Sequence, residues 1–103
     1  MVFISLQTKI DLDNIVIGLL EWEKVELTVP EVMKYVDDIS DICYNLDNLA
    51  FHYPAKYKEH LKYGEYSHSY KRNRNTTWYI IYDVDLYNNI YVNKIFSNYL
   101  TIS

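Results

Sequence analysis

One cysteine, two glycines and two prolines are all that this chain of 103 residues holds of the residue types that staple, bend or break a backbone. Cys43 has no partner for an internal disulfide, which fits a reducing compartment. With half of the residues apolar and so little Gly or Pro, a disordered or low-complexity chain is excluded. No apolar run approaches the roughly 20 residues of a membrane span, and the opening MVFISLQTK has no signal-peptide core. The expectation is one cytoplasmic domain over residues 1–103, long enough to enclose a single core. A glycine-rich phosphate loop, a catalytic triad pattern and an internal repeat are also absent. His52, His60 and His68 stand eight residues apart, which is not a zinc-site spacing, so neither metal nor cofactor is expected.

Basic residues are scarce, and they are unevenly placed. Residues 1–50 carry ten acidic and three basic side chains, a balance of −7; residues 51–103 carry four acidic and seven basic ones, a balance of +3. Thirteen of the seventeen aromatics also lie in the second half. No linker-like stretch divides the halves, so they read as an acidic helical part and a basic, tyrosine-rich sheet part of one unit.

In the first half, Val2 to Leu6 is a strand candidate. Thr8 offers an N-cap hydroxyl with Asp11 three positions on. Leu12, Ile15, Val16, Leu19 and Leu20 then recur at helical spacing, and that helix should run to about Glu23. Thr28, Pro30 and Glu31 open a second helix with a capping-box pattern and proline in the first turn. Its apolar period, from Val32 through Ile39 and Cys43 to Leu49, lasts to about Ala50. A connection of about four residues predicts an antiparallel helix hairpin. Asp37, Asp38 and Asp41 are near neighbours on the second helix and read as a solvated face.

Alternation at period two governs the second half. Leu61–Lys71, with Gly64 marking a bulge, Thr76–Val84 and Ile90–Phe96 read as three strands of an antiparallel meander. The middle run is apolar on both faces, as a central strand covered on two sides should be. In the last run Ile90, Val92 and Phe96 share one face, and Tyr91, Asn93 and Ile95 the other. The fold class is therefore α+β: an N-terminal strand, a helix hairpin and a three-stranded meander. Lys71, Arg72 and Arg74 gather at the first meander turn among Tyr66, Tyr70 and Trp78. That arrangement suits either a solvated turn or a nucleic-acid or partner patch, since aromatic faces stack on unpaired bases. His60 and His68 are acid–base candidates near neutral pH.

The order strand–helix–helix–strand–strand–strand, at about this length, resembles the RelE/ParE toxins of bacterial type II toxin–antitoxin modules. Tyr53-Pro54 stands where that family often has an aromatic-Pro pair after its second helix. Trp78-Tyr79-Ile80-Ile81-Tyr82 matches its central strand, and Val92-Asn93-Lys94-Ile95 its last strand. The resemblance implies a growth inhibitor covered by a cognate antitoxin and acting in one of two ways. RelE-like members cut mRNA on the ribosome, with basic side chains holding phosphate and a late Tyr or His moving protons. ParE-like members bind DNA gyrase. Carried over by position, Lys71, Arg72 and Arg74 match the basic stretch before the central strand. Lys94 keeps a cation in the last strand and Tyr99 supplies a late phenol; in a nuclease of this kind Tyr99 or His68 would move protons. Two positions depart from the pattern: Tyr79 stands in place of a strand arginine and Ser97 in place of a late histidine. A toxin-type nuclease and a non-catalytic interaction protein both follow from this reading.

Overall fold

A computed structural model describes residues 1–21 and 27–98 of the chain. Strand β1 (Val2–Ile4) leads into helix α1 (Leu6–Glu21); helix α2 (Val29–Tyr44) follows, then a 3-10 turn at Leu46–Asn48 and a short helix α3 (Lys58–Leu61). Strands β2 (Tyr66–Lys71), β3 (Thr77–Val84) and β4 (Ile90–Ser97) complete the described chain. The strands form one open, mixed sheet in the order β1-β4-β3-β2. The pairs β2–β3 and β3–β4 are antiparallel, whereas β1 lies parallel to β4, with Val2 opposite Ile90 and Ile4 opposite Val92. The fold is thus α+β, and the sheet is mixed because the first strand joins the last one.

Local chemistry explains the helix ends. Ser5, rather than Thr8, caps α1: its Oγ accepts the Thr8 amide at 3.0 Å, so the strand stops at Ile4 and Leu6 is already helical. Thr8 is fully buried and donates its hydroxyl to the Val92 carbonyl at 3.0 Å. The expected end of α1 near Glu23 falls outside the described residues. Thr28 caps α2 as the sequence pattern requires, accepting the Glu31 amide at 3.3 Å and donating its hydroxyl to the Glu31 carboxylate at 3.0 Å. Helix α2 does not reach Ala50. Asn45 folds back on it, giving its side-chain amide to the Asp41 carbonyl at 2.7 Å, and the chain tightens into the 3-10 turn.

Helices α1 and α2 cover one face of the sheet. Ile15, Tyr35, Val36, Ile39, Cys43 and Leu46 pack there against Trp78, Ile80, Tyr82, Ile90, Val92 and Ile95. Burial pushes the Cys43 thiol up to about 12, so this cysteine is a core residue and not a nucleophile. The other face is covered by the segment between α2 and β2. It runs along the β2 edge, where the Ala55 amide donates to Glu65 O at 2.8 Å and the Ser67 amide to Tyr53 O at 3.0 Å. Its short helix then lies over Tyr79 and Phe96. The strand expected from Leu61 starts later: Lys58–Leu61 is helical and β2 begins at Tyr66. Gly64 is therefore not a strand bulge. It lies where the covering segment touches β3: a Cβ there would stand 2.8 Å from the Tyr82 carbonyl oxygen.

The bulge lies in β4. Tyr82 faces Val92 but Ile81 faces Lys94, leaving Asn93 as the extra residue. Its side chain donates to Tyr63 O at 2.7 Å and to Asp83 Oδ2 at 3.0 Å, which fixes the irregularity. The shift reverses the expected facing of the strand end. Ile95 joins the helix-covered core, and Phe96 turns to the opposite face.

Candidate functional site

The β2–β3 turn is built by asparagines. Asn73 Oδ1 accepts the amides of Asn75 and Thr76, and Asn98 ties the turn to the end of β4 through Thr77 N and Asn75 O. Of its three cations, Lys71 and Arg74 point to solvent. Arg72 folds back onto α2: its Nη1 donates to Asp38 Oδ2 at 2.7 Å and to the Tyr70 hydroxyl at 3.0 Å, and its guanidinium lies 4.2 Å from the centre of the Tyr35 ring. The Asp38 carboxyl is held below its ordinary range by that guanidinium first and by Lys34 second. Asp38 was expected on a solvated helix face; its side chain is 30 % exposed and ion-paired. Tyr35 carries the connection inward, accepting the Trp78 indole N–H at 2.8 Å. Burial raises its phenol, partly offset by that bond.

Lys94 is neutralised in the same manner. From the bulged strand its Nζ reaches Asp11 Oδ1 at 2.8 Å. Asp11 is 7 % exposed and accepts two further bonds, from Gln7 Nε2 at 2.9 Å and from the Ile95 amide at 3.1 Å. The last of these has a structural cause. Among the described residues β1 pairs only with residues 90–92, so the rest of β4 is there a sheet edge, and a carboxylate from α1 satisfies an amide that no described strand meets. Asp11 was read as part of a helix cap. Its position in line with Ile15 and Leu19, four residues apart along α1, was the available sign that it faces inward.

Two clefts open among the described residues, and the Lys94–Asp11 pair lines one of them. The larger, about 550 Å³, lies between α1 and the ends of β3 and β4; Ile15, Leu19, Tyr35 and Trp78 form apolar walls, with Lys94 and Ser97 among its polar groups. The smaller, about 400 Å³, lies along the β2 edge and contains Lys56, Tyr57, His68 and Tyr79. The His68 imidazole is pushed down by burial and is therefore neutral at pH 7. The two clefts share no lining residue, so His68 and Lys94 serve different concavities, and Lys71, Arg72 and Arg74 line neither. Ser97 and Tyr79, at the two departing positions, are likewise in separate clefts. Tyr99 lies outside the described residues.

Among the described residues, no group of His, Cys, Asp or Glu is arranged to hold a metal ion, and no helix is long and apolar enough to cross a membrane. Chemically, the larger cleft offers apolar contact, one indole and a partly screened ammonium, which suits the capture of an apolar side chain better than proton transfer. The smaller offers two phenols and a lysine, while the His68 side chain, in register with Ile80, stands on the helix-covered side of edge strand β2. Comparison with protein-family models, with curated proteins and with solved structures finds no match for this chain.

Proposed function

We propose that the chain is a toxin-type protein of the RelE/ParE kind that acts in the cytoplasm by binding a protein target, such as DNA gyrase, and is held in check by a cognate antitoxin. The element order and the strand patterns around Trp78–Tyr82 and Val92–Ile95 support the kinship. One observation carries the choice of binding over cleavage: Arg72 and Lys94, which would hold phosphate in a nuclease, are each paired with a carboxylate of the chain's own helices, Asp38 and Asp11. A phosphate must displace those carboxylates, whereas an apolar side chain entering the larger cleft leaves both pairs intact.

A second reading, ribosome-dependent mRNA cleavage, rests on His68, a neutral imidazole on edge strand β2, and on Tyr79 and Lys56 in the cleft along that edge, although the His68 and Tyr79 side chains face opposite sides of the sheet. Expression in a bacterial host without any neighbouring gene, with mRNA 5′ ends mapped across the transcriptome, separates the two. Growth arrest with intact messages supports target binding, and Trp78→Ala should relieve it if a variant confirmed to fold is used. Cuts at fixed codon positions that disappear in His68→Ala establish the nuclease instead. Unimpaired growth removes both.

A further inference from the structure

His60 is fully buried, yet among the described residues neither of its ring nitrogens has a hydrogen-bond partner. Buried polar groups are almost always bonded, so such a ring calls for a physical account. Three rings pack against it. Phe96 stacks on it with centroids 4.9 Å apart and 22° between planes, while Tyr79 and Tyr57 each lie at 5.0 Å. Tyr57 also meets Tyr79 at 5.8 Å, and Tyr63 meets Phe96 at 5.5 Å. Helix α3 and its flanks are thus fastened to the sheet by these ring contacts around one imidazole, and at the Tyr63 end also by the Asn93 side chain, which donates to Tyr63 O at 2.7 Å.

We propose that residues 57–63 form a proton-operated strap: neutral His60 holds the segment against Tyr79 and Phe96, and protonation of His60 releases it to uncover that face of the sheet. An imidazolium there has two N–H donors and no acceptor. The surrounding charges do not rescue it. On the strap, Glu59 raises its proton affinity, but that carboxylate is exposed and paired with Lys62 at 3.1 Å. From β4, the Lys94 ammonium lies 5.6 Å from the Phe96 ring on which His60 stacks, a like charge that is itself paired with Asp11. From β3, Asp83 is occupied by the Glu65 amide and Asn93, and Tyr79 is a neutral phenol raised by burial. Attraction of an imidazolium to the neighbouring ring faces is weaker than the loss of its hydration. Desolvation accordingly lowers the proton affinity of His60 below the ordinary value of 6.5. For a base depressed in the closed state, the strap is fully held above about 6.5 and loses hold as pH falls below it. Because Tyr57 of the strap and Tyr79 beneath it line the smaller cleft, release opens that cleft as well, whatever it binds.

Hydrogen exchange of the 103-residue chain tests it. The amides of Leu61 and Tyr63, which donate within the segment to Tyr57 O and His60 O, report on the strap, and those of β3 report on the sheet. Below about pH 6, strap protection corrected for intrinsic exchange should fall by about tenfold per pH unit while the sheet stays protected. In His60→Phe, which keeps the ring stack without the titrating nitrogen, strap protection should be flat with pH. Wild-type strap protection that is constant over this range overturns the proposal, as does an unchanged slope in the variant, which would assign the effect to another group. Should the variant not fold, the wild-type imidazole resonance decides. A depressed His60 midpoint that coincides with loss of strap protection upholds the strap; an ordinary midpoint with an intact strap refutes it.

Discussion

Asp11 concentrates three acceptor roles on one nearly buried carboxylate: the Lys94 ammonium, the Gln7 amide and the unpaired Ile95 backbone N–H. Removing it strands a cation of 20 % exposure and a buried backbone donor together. We therefore expect Asp11→Ala to lose roughly 2–4 kcal/mol of folding stability, read from urea denaturation midpoints at constant m-value. A loss within experimental error would show that Lys94 and Ile95 find other partners. The pair illustrates what residue-level reading can reach. That Lys94 brings a cation to the last strand is visible in the sequence. That the cation is already neutralised is not, because its partner stands 83 positions away in the chain. Local rules see spacing along a helix, so Asp11 three residues after Thr8 looked like a cap, and only its alignment with Ile15 and Leu19 hinted otherwise. Arg72 and Asp38 repeat the lesson over 34 positions.

At the scale of elements, the β3–β4 turn is the most firmly specified. Asp85 accepts the amides of Tyr87 and Asn89, the Asn89 side chain and the Tyr91 hydroxyl. These bonds, led by those from Asn89, hold its carboxyl down at about 2 against an ordinary 3.8. Asn88 takes the left-handed conformation there, with φ of 61°, as asparagine tolerates better than most residues. A depressed carboxylate contributes to the turn above its unfolded pKa and loses that contribution as pH falls through the folded one. The Tyr87 and Asn89 amide shifts should thus stay constant from neutrality to about pH 4 and move together near pH 2; in Asp85→Asn no such step should occur. Leu86 and Tyr87, 99 % and 86 % exposed at the tip, should gain mobility over the same range. The second helix start and the middle strand were legible because Thr28, Pro30, Glu31 and the two apolar faces of β3 act locally. The Asn93 bulge was not, since Tyr63 and Asp83, which fix it, come from the covering segment and from β3. The α3 turn, four residues long, is too short to show a helical period, and Tyr57, His60 and Tyr63 are held by the sheet rings they touch.

Across the whole molecule, the charge asymmetry of the two halves is partly cancelled by folding, since Arg72 meets Asp38 and Lys94 meets Asp11. Of the four cations read as phosphate-holding, Lys71 and Arg74 remain exposed. Single-stranded RNA should therefore bind feebly, with log K falling against log salt at a slope of about −1 to −2, as two phosphate contacts give; fluorescence anisotropy of a labelled oligonucleotide measures it. A slope near about −3 would mean that Arg72 and Lys94 leave their carboxylates for phosphate. The mixed sheet has one more consequence, for the order in which the chain can assemble. β4 is the last described strand to be made and, among the described strands, the only neighbour β1 has, lying between it and β3. During synthesis the opening Val2–Ile4 must therefore wait, unpaired, until the segment from Ile90 has left the ribosome. A chain so arranged closes its largest loop last and cannot settle its core piecemeal, so truncation before β4 should yield an aggregation-prone fragment rather than a smaller folded unit.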